Sequence, residues 1–193
     1  MLLFTAHSKG RLARSLPLRV LTLGRAALAD VPSLRSERRI QMKIAIASDH
    51  AGFEEKERLK PLLDELGIQY EDLGTVSTES VDYPDYARKV GEEVAAGNVE
   101  QGLLVCGSGT GMAIAANKVP GVRAAVAWNE EIARLAREHN DANVLSLGAR
   151  TTPADELPKI VRAWFAAKFD QGRHERRVNK IRAIEQDELA HHR

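Results

Sequence analysis

The chain lacks the features that would cross-link it or anchor it in a membrane. Its 193 residues contain one cysteine, Cys106, so an internal disulfide is excluded. No apolar run approaches the roughly 20 residues that a membrane-spanning helix needs. The composition, with 44% hydrophobic and 28% charged residues, is typical of a soluble globular protein long enough for a sizeable core.

The chain also has almost no net charge, because its formal charge at pH 7 is only +1. That average hides an uneven distribution. Residues 1–41 carry eight Lys and Arg against two acidic residues, a net charge of +6, so the rest of the chain has a net charge of −5. An acidic body argues against a nucleic-acid-binding surface as the main function.

Residues 1–41 show neither the alternation of a strand nor the signals of a well-capped helix. Three explanations fit this basic segment: a transit peptide, a disordered arm, or translated sequence upstream of a functional start at Met42. A secretory signal is disfavoured because no compact apolar core precedes a small-residue cleavage site. We therefore expect a single domain over residues 42–190 and base no fold inference on residues 1–41.

After Met42, short apolar segments alternate with amphipathic ones, and the connections are too short for anything but repeated strand–helix–strand units. The sequence therefore predicts an α/β fold, a three-layer sandwich with a five-stranded parallel sheet and helices on both faces. Predicted strands cover residues 43–47, 68–73, 103–106, 122–127 and 143–147. Predicted helices cover residues 53–66, 83–96, 129–138, 153–169 and 173–190, with a further Ala-rich helix after Gly111. Pro61 is expected to kink or split the first helix.

Binding sites in parallel sheets lie at the carboxyl ends of the strands. The polar residues that follow strand ends should therefore converge, and these are Asp49, His50, the segment 106–111 and Arg150. For Asp49-His50 we expect proton handling and contact with a phosphate. The alternative is that Asp49 only caps the helix that follows.

The segment Cys106-Gly107-Ser108-Gly109-Thr110-Gly111 has glycine at every second position, so its backbone can approach a ligand closely. Its N–H groups are expected to converge at a helix N-terminus and form an anion site. The spacing is neither the dinucleotide-binding pattern nor a P-loop. Trp128-Asn129 stands where a dinucleotide site would need an acidic residue, which disfavours nucleotide binding.

Cys106 ends a predicted strand and opens this loop. A thiol in that positive field is expected to ionise more easily and to act as a base or nucleophile. The alternative is an ordinary buried cysteine of the core. No second cysteine and no histidine cluster has the spacing of a metal site, so we expect no metal.

Two further groups of residues lie near helix ends. His139 ends a predicted helix, where the helix dipole favours the protonated imidazole. It could therefore pass protons to a sugar oxygen. The alternative is that His139 only caps the helix. Arg173 and Arg177 lie four residues apart on one face of the last helix and can grip one phosphate. The alternative for these arginines is a solvated basic patch that pairs with Glu175 or Glu185.

With these residues, the chain resembles the sugar-phosphate isomerase family, which contains the B-type ribose-5-phosphate isomerases and the galactose-6-phosphate isomerase subunits. The resemblance covers residues 42–186 and implies a Rossmann-like fold. The motifs that carry it, in chain order, are Ser48-Asp49-His50-Ala51-Gly52, Asp82-Tyr83-Pro84, Cys106-Gly107-Ser108-Gly109-Thr110-Gly111 with Ala115-Ala116-Asn117-Lys118, His139-Asn140-Asp141-Ala142-Asn143, and Gly172-Arg173-His174.

The resemblance implies a role for each candidate residue. Cys106 matches the base that removes the proton beside the sugar carbonyl, and Met112 stands where another branch of the family has a glutamate. His139 matches the histidine that opens the furanose ring. Substrate contacts match Asp49, His50, Gly107, Ser108, Gly109, Thr110, Gly111 and Asn140, and phosphate-side positions match Arg150, Arg173 and Arg177. The loop N–H groups would then hold the enediolate, with no metal or organic cofactor.

The family further implies a cytoplasmic enzyme of the non-oxidative pentose phosphate pathway that exchanges ribose 5-phosphate and ribulose 5-phosphate. It implies a homodimer with a shared active site, with a tetramer as the alternative, and neither a nucleic acid nor a membrane as partner. The apolar positions Val178, Ile181 and Ile184 of the last helix would need a partner surface. Two other functions stay open: an isomerase of a six-carbon sugar phosphate, such as allose or galactose 6-phosphate, and a non-catalytic phosphate- or nucleotide-binding module.

Overall fold

The structure is a computed structural model that describes residues 42–191. Within this range five strands form one sheet in the order β2-β1-β3-β5-β4, and every neighbouring pair is parallel. The strands are β1 (Lys43–Ser48), β2 (Gln69–Asp72), β3 (Gln101–Cys106), β4 (Ala124–Val126) and β5 (Val144–Gly148). The predicted α/β fold with a five-stranded parallel sheet is confirmed.

Helices cover both faces of the sheet and bury two apolar layers. The helices are α1 (Phe53–Glu65), α2 (Tyr83–Ala95), α3 (Thr110–Ala116), α4 (Glu130–Asn140), α5 (Leu157–Ala166) and α6 (Arg173–His191). Side chains of α1, α4 and α5 pack with Ile44 and Leu103 on one face, whereas those of α2 and α3 pack with Ala45 and Leu104 on the other. This division follows from the alternation of side chains along each strand.

Two helices differ from the sequence-based expectation. The helix expected over residues 153–169 begins only at Leu157, because Pro158 occupies the first turn, where a missing N–H costs nothing, and the helix ends at Ala166. The helix α1 runs without a break through Pro61, so the expected split is wrong. Pro61 is the ninth of the 13 residues of α1, where it removes one helical hydrogen bond without ending the helix.

The parallel order gives the sheet two chemically different edges. We call the side where the strands end, beyond Ser48, Cys106 and Gly148, the carboxyl edge, and the opposite side the amino edge. Each helix that follows a strand carries the chain back from the carboxyl edge to the amino edge. The 11 residues of α4 span about 16 Å in this way, so its last turn lies at the amino edge.

The basic segment 1–41, for which we set three explanations side by side, lies outside the described residues. Among residues 42–191, no helix combines the length and the apolar character that a membrane crossing demands.

A buried lysine ties α1 to the end of β2. The side chain of Lys56 is 1% exposed and its ammonium lies 2.5 Å from Asp72 and 3.0 Å from Glu57. Lys60 binds the same Asp72 carboxylate at 2.7 Å. Burial by itself raises the pKa of Asp72, but hydrogen bonds from both lysines outweigh burial and hold the pKa below its usual value.

We expect Asp72→Asn to lower the free energy of unfolding at pH 7 by about 2 kcal/mol, because Lys56 would keep its charge with a weaker partner. Since the Asp72 pKa is lowered by folding, its contribution is present above the unfolded pKa of about 4 and is lost as pH falls below it. Urea unfolding of the wild type and of Asp72→Asn between pH 7 and pH 3 measures how their difference in unfolding free energy depends on pH. A difference that persists undiminished in acid would contradict it.

Candidate active site

Cys106 lies at the end of β3, on the side of the sheet that α2 and α3 cover, and is 4% exposed. Its Sγ accepts a hydrogen bond from the N–H of Gly109 at 3.1 Å. Gly109 has φ of 76°, in the left-handed region, and its carbonyl accepts a bond from the Ser146 hydroxyl at 2.6 Å. The loop is therefore folded so that a backbone dipole points at the sulfur, an arrangement that favours negative charge there.

The same loop uses a second N–H internally, because Thr110 donates to the hydroxyl of Ser108 at 3.3 Å. The glycine pattern predicts that the loop N–H groups converge on an anion. Among residues 107–111, the N–H groups of Gly109 and Thr110 are used within the loop, and those of Gly107, Ser108 and Gly111 are left for a ligand. The anion cradle is thus smaller than the glycine pattern indicates.

Asp49 follows β1 and is 6% exposed. Its Oδ1 accepts hydrogen bonds from the N–H groups of Ala51 and Gly52, each at 2.9 Å. This closes the turn before α1, close to the capping role that we set against substrate contact. A Cβ on Gly52 would come within 2.1 Å of the Val105 carbonyl oxygen, so only glycine lets this turn lie against the end of β3.

His50 is partly exposed, and its Nδ1 accepts a hydrogen bond from the N–H of Val81 at 3.2 Å. A neutral imidazole that accepts at Nδ1 carries its proton on Nε2, so His50 can donate from that nitrogen. His50, Thr78 and Arg150 line a cavity of about 380 Å³ at the carboxyl edge. This cavity is large enough for a sugar phosphate.

Arg150 lies beside the glycine loop. Its N–H binds the Gly107 carbonyl at 2.9 Å, and its side chain passes over Gly107. Tyr83 covers the other end of the loop, because a Cβ on Gly111 would lie 2.9 Å from its ring. The structure thus brings Asp49, His50, the segment 106–111 and Arg150 to one edge of the sheet.

Several residues of this edge were absent from the predicted site. Glu54 and Glu55 line the cavity beside Arg150, and Thr78 closes it from the loop after β2. Tyr83 carried a signal, since it lies in one of the family motifs. The glutamates carried none, because charged residues in the first turn of a helix are common without any ligand.

His139, Asn140, Arg173 and Arg177 lie elsewhere, at the amino edge. His139 and Asn140 form the last turn of α4, and the two arginines lie in the first turns of α6. The N–H of Asp170 binds the Glu138 carbonyl at 3.0 Å, which fastens the start of α6 to the end of α4. Asn143, three residues after Asn140, pairs with Gly102 at the beginning of β3.

One protomer therefore does not assemble the predicted site. Cys106 and His139 lie at opposite edges of the same sheet, separated by roughly the length of α4, about 16 Å. A proton relay between them within one chain is geometrically excluded, since direct transfer requires hydrogen-bond distances.

Three potential metal ligands occur together at the amino edge: the donor atoms of His139, Asp170 and His174 lie within 4.8 Å of one another. The two imidazole planes are nearly parallel, at 11°, so their in-plane lone pairs do not converge on one point. The Nε2 of His174 already accepts a bond from the Arg173 guanidinium at 3.2 Å. We assign no metal to this cluster.

Comparison with known proteins identifies the family of this chain. Residues 44–181 match the family described as Ribose/Galactose Isomerase. The chain belongs to this ribose/galactose isomerase family. It is 46% identical over 144 residues to ribose-5-phosphate isomerase B of Escherichia coli K12, an alignment that covers 75% of this chain and 97% of that relative.

Solved structures of the same family superpose on this chain. A Clostridium thermocellum ribose-5-phosphate isomerase B superposes with a TM-score of 0.74 at 49% identity, covering 76% of this chain and 99% of that one. A Mycoplasma genitalium ribose-5-phosphate isomerase B, solved with bound ribulose-5-phosphate, superposes at 0.72 with 41% identity and covers 75% and 97%. The family resemblance predicted from the motifs is therefore confirmed, and so is the Rossmann-like fold that it implied.

Gly109 offers a test of the loop geometry in this isomerase. We expect Gly109→Ala to lower kcat by at least about tenfold, because the new Cβ lies 3.1 Å from the Leu147 carbonyl carbon and moves the N–H away from Cys106. The left-handed backbone also costs about 1–2 kcal/mol of stability.

Gly97→Ala is the matched control, since Gly97 has a similar φ of 73° and open space around it. Both variants should bear the cost of the left-handed backbone in thermal unfolding, but only Gly109→Ala, which is also crowded by the Leu147 backbone, should lose activity. Equal kinetics in the two variants would contradict a role for the Gly109 N–H.

Proposed function

We propose that this chain interconverts D-ribose 5-phosphate and D-ribulose 5-phosphate through an enediolate. The observation that carries the proposal is the Cys106 thiol at the end of β3, with a backbone N–H directed at its sulfur. The ribulose-5-phosphate bound in the Mycoplasma genitalium relative supports the five-carbon substrate. The chain is thus an aldose–ketose isomerase.

Cys106 acts as the base in this reaction. Its thiolate removes the proton from C2 of the open-chain aldose, and the electron pair moves toward the carbonyl oxygen on C1. The same sulfur returns the proton to C1, while a proton passes from the C2 oxygen to the C1 oxygen. The Gly109 N–H stabilises the thiolate that is present before the first proton transfer and again after the second. Met112, where another family branch has a glutamate, is fully buried and carries no acid.

The glycine loop stabilises the negative charge that develops on the enediolate. The N–H groups of Gly107, Ser108 and Gly111 are the donors for the developing oxyanion, as dipoles already in place before the reaction. His50 can add an Nε2–H donor, and Arg150 supplies a positive charge at the same cavity. Asp49 contributes by holding the turn that presents His50.

A second copy of the chain completes the site. His139 opens the furanose ring and Asn140 contacts the sugar, while Arg173 and Arg177 bind the phosphate, and all four lie at the amino edge. Because Cys106 lies at the opposite edge, these groups must come from the partner subunit. Val178, which was expected to need a partner surface, is buried within the chain, whereas Ile181, Ile184 and Leu189 of α6 are exposed and form an apolar surface suited to such a dimer. Cytoplasmic localisation stays a prediction of the family resemblance.

The test is a turnover assay of the purified chain on ribose 5-phosphate, with allose 6-phosphate and galactose 6-phosphate in parallel and EDTA as a control for metals. We expect the highest kcat/KM for ribose 5-phosphate, unchanged by EDTA. A preference for a six-carbon phosphate would overturn the substrate assignment, and binding without turnover would overturn the isomerase assignment.

A further inference from the structure

His139 and His174 stack face to face at the amino edge, with ring centroids 4.1 Å apart and planes at 11°. His139 lies in the last turn of α4 and is partly exposed, whereas His174 lies in the first turn of α6 and is 6% exposed. The stack therefore holds the imidazole that the proposed function uses against a second imidazole hidden from solvent.

The hydrogen bond to His174 decides its protonation. Arg173 Nε donates to His174 Nε2 at 3.2 Å, and a guanidinium has no lone pair to offer in return. Nε2 must therefore accept, so the ring is neutral and carries its proton on Nδ1. Burial, together with the charges of His139, Arg173 and Arg177, lowers the pKa of His174, and Asp170 opposes them.

We propose that His174 is a positioning residue for His139, a neutral imidazole whose face orients the His139 ring and leaves the single positive charge of the pair to His139. The inference rests on the function proposed above. Two imidazolium rings in contact would repel each other, so a neutral partner lets His139 take up and return the proton of ring opening. The Asp170 carboxylate, whose oxygen lies within 4.8 Å of donor nitrogens on both rings, supplies the counter-charge.

Nitrogen-15 NMR of the wild-type protein, labelled at histidine, tests the protonation state directly. We expect His174 to be the neutral Nδ1–H tautomer at pH 7 and to titrate at lower pH than an unperturbed histidine. The spectrum of His174→Phe assigns the signal. A His174 signal that titrates at or above the pH of an unperturbed histidine, or that belongs to the Nε2–H tautomer, would overturn the proposal.

Kinetics test the effect on His139. We expect His174→Ala to lower kcat for ribose 5-phosphate by about tenfold to a hundredfold with a smaller change in KM, the usual effect of misplacing a catalytic group. His174→Phe restores a flat neutral face and should recover most of kcat. His191→Ala, an exposed histidine on the same helix, is the control and should match the wild type. A wild-type kcat in His174→Ala, or no recovery in His174→Phe, would overturn the proposal.

Deuterium exchange separates ring opening from enolisation. Ribulose 5-phosphate is open-chain, because its 5-hydroxyl is phosphorylated, so Cys106 can exchange its C1 proton with solvent without help from His139. We expect His174→Ala to keep this exchange while net formation of ribose 5-phosphate slows. Loss of exchange would overturn the positioning role. A wild-type protein without turnover would instead overturn the proposed function, and this inference with it.

Discussion

Replacing Cys106 with alanine is expected to lower kcat for ribose 5-phosphate by about a thousandfold, within the range that general bases contribute. The loss follows because no other described group at the carboxyl edge occupies the position of the sulfur beside Gly109. The fold should survive, since the change removes one atom from a buried side chain without leaving a charge unpaired. Deuterium exchange into ribulose 5-phosphate should be lost together with net turnover.

The single cysteine makes the control simple. Iodoacetamide should modify the wild-type protein once per chain, since the sequence contains no other thiol, and inactivate it in proportion. Saturating ribose 5-phosphate should protect it. Far-UV circular dichroism and thermal unfolding of Cys106→Ala should match the wild type. Turnover of this variant within about tenfold of the wild type would show that Cys106 is an ordinary core cysteine.

Mixing two inactive variants is expected to restore activity if each site draws on both subunits. In a hybrid dimer of Cys106→Ala and His139→Ala chains, one site has both substitutions and the other has neither. Random pairing of equal amounts makes half of the dimers hybrid, so about a quarter of all sites should be intact. The chains are co-refolded, and hybrid dimers are counted by native mass spectrometry before the assay.

A pair from one edge serves as the matched control. Cys106→Ala mixed with Arg150→Ala should stay inactive, because both residues lie at the carboxyl edge and each site of the hybrid would retain one substitution. Recovery in this control, or its absence in the Cys106→Ala and His139→Ala hybrid, would contradict a shared site. So would a monomer that sedimentation shows to be fully active.

The fold could be predicted because its signals are local. Each strand is a short apolar run, each helix has its own period and stop signal, and Asn129 caps α4 with its side chain on the Ile132 N–H, as expected. Helix boundaries were harder to predict near prolines, because a proline can begin a helix or lie inside one. Pro158 lies in the first turn of α5, whereas Pro61 lies inside α1, and the sequence around a proline does not separate these cases.

The candidate site could be predicted only in part. Strand ends on a parallel sheet meet at one edge, so the grouping of Asp49, His50, Cys106 and Arg150 follows from the order of the elements. The direction in which each backbone N–H of the glycine loop points does not follow from the order of the elements. The glycine pattern indicated one anion cradle, whereas the Gly109 N–H binds the sulfur and the Thr110 N–H binds Ser108.

The sequence by itself therefore determined the fold class, the family and the candidate site residues, because these depend on local patterns and on motifs in order. The tertiary structure decided which of those residues lie at the carboxyl edge of the sheet and which lie at the amino edge. The return of α4 from one edge of the sheet to the other separates His139 from Cys106, and the docking of α6 on α4 stacks His174 against His139. Such contacts join residues far apart in the chain through packing, which no local pattern encodes. In the proposed dimer, Cys106 and its glycine loop would form one half of the site, and the amino edge of a second copy would form the other.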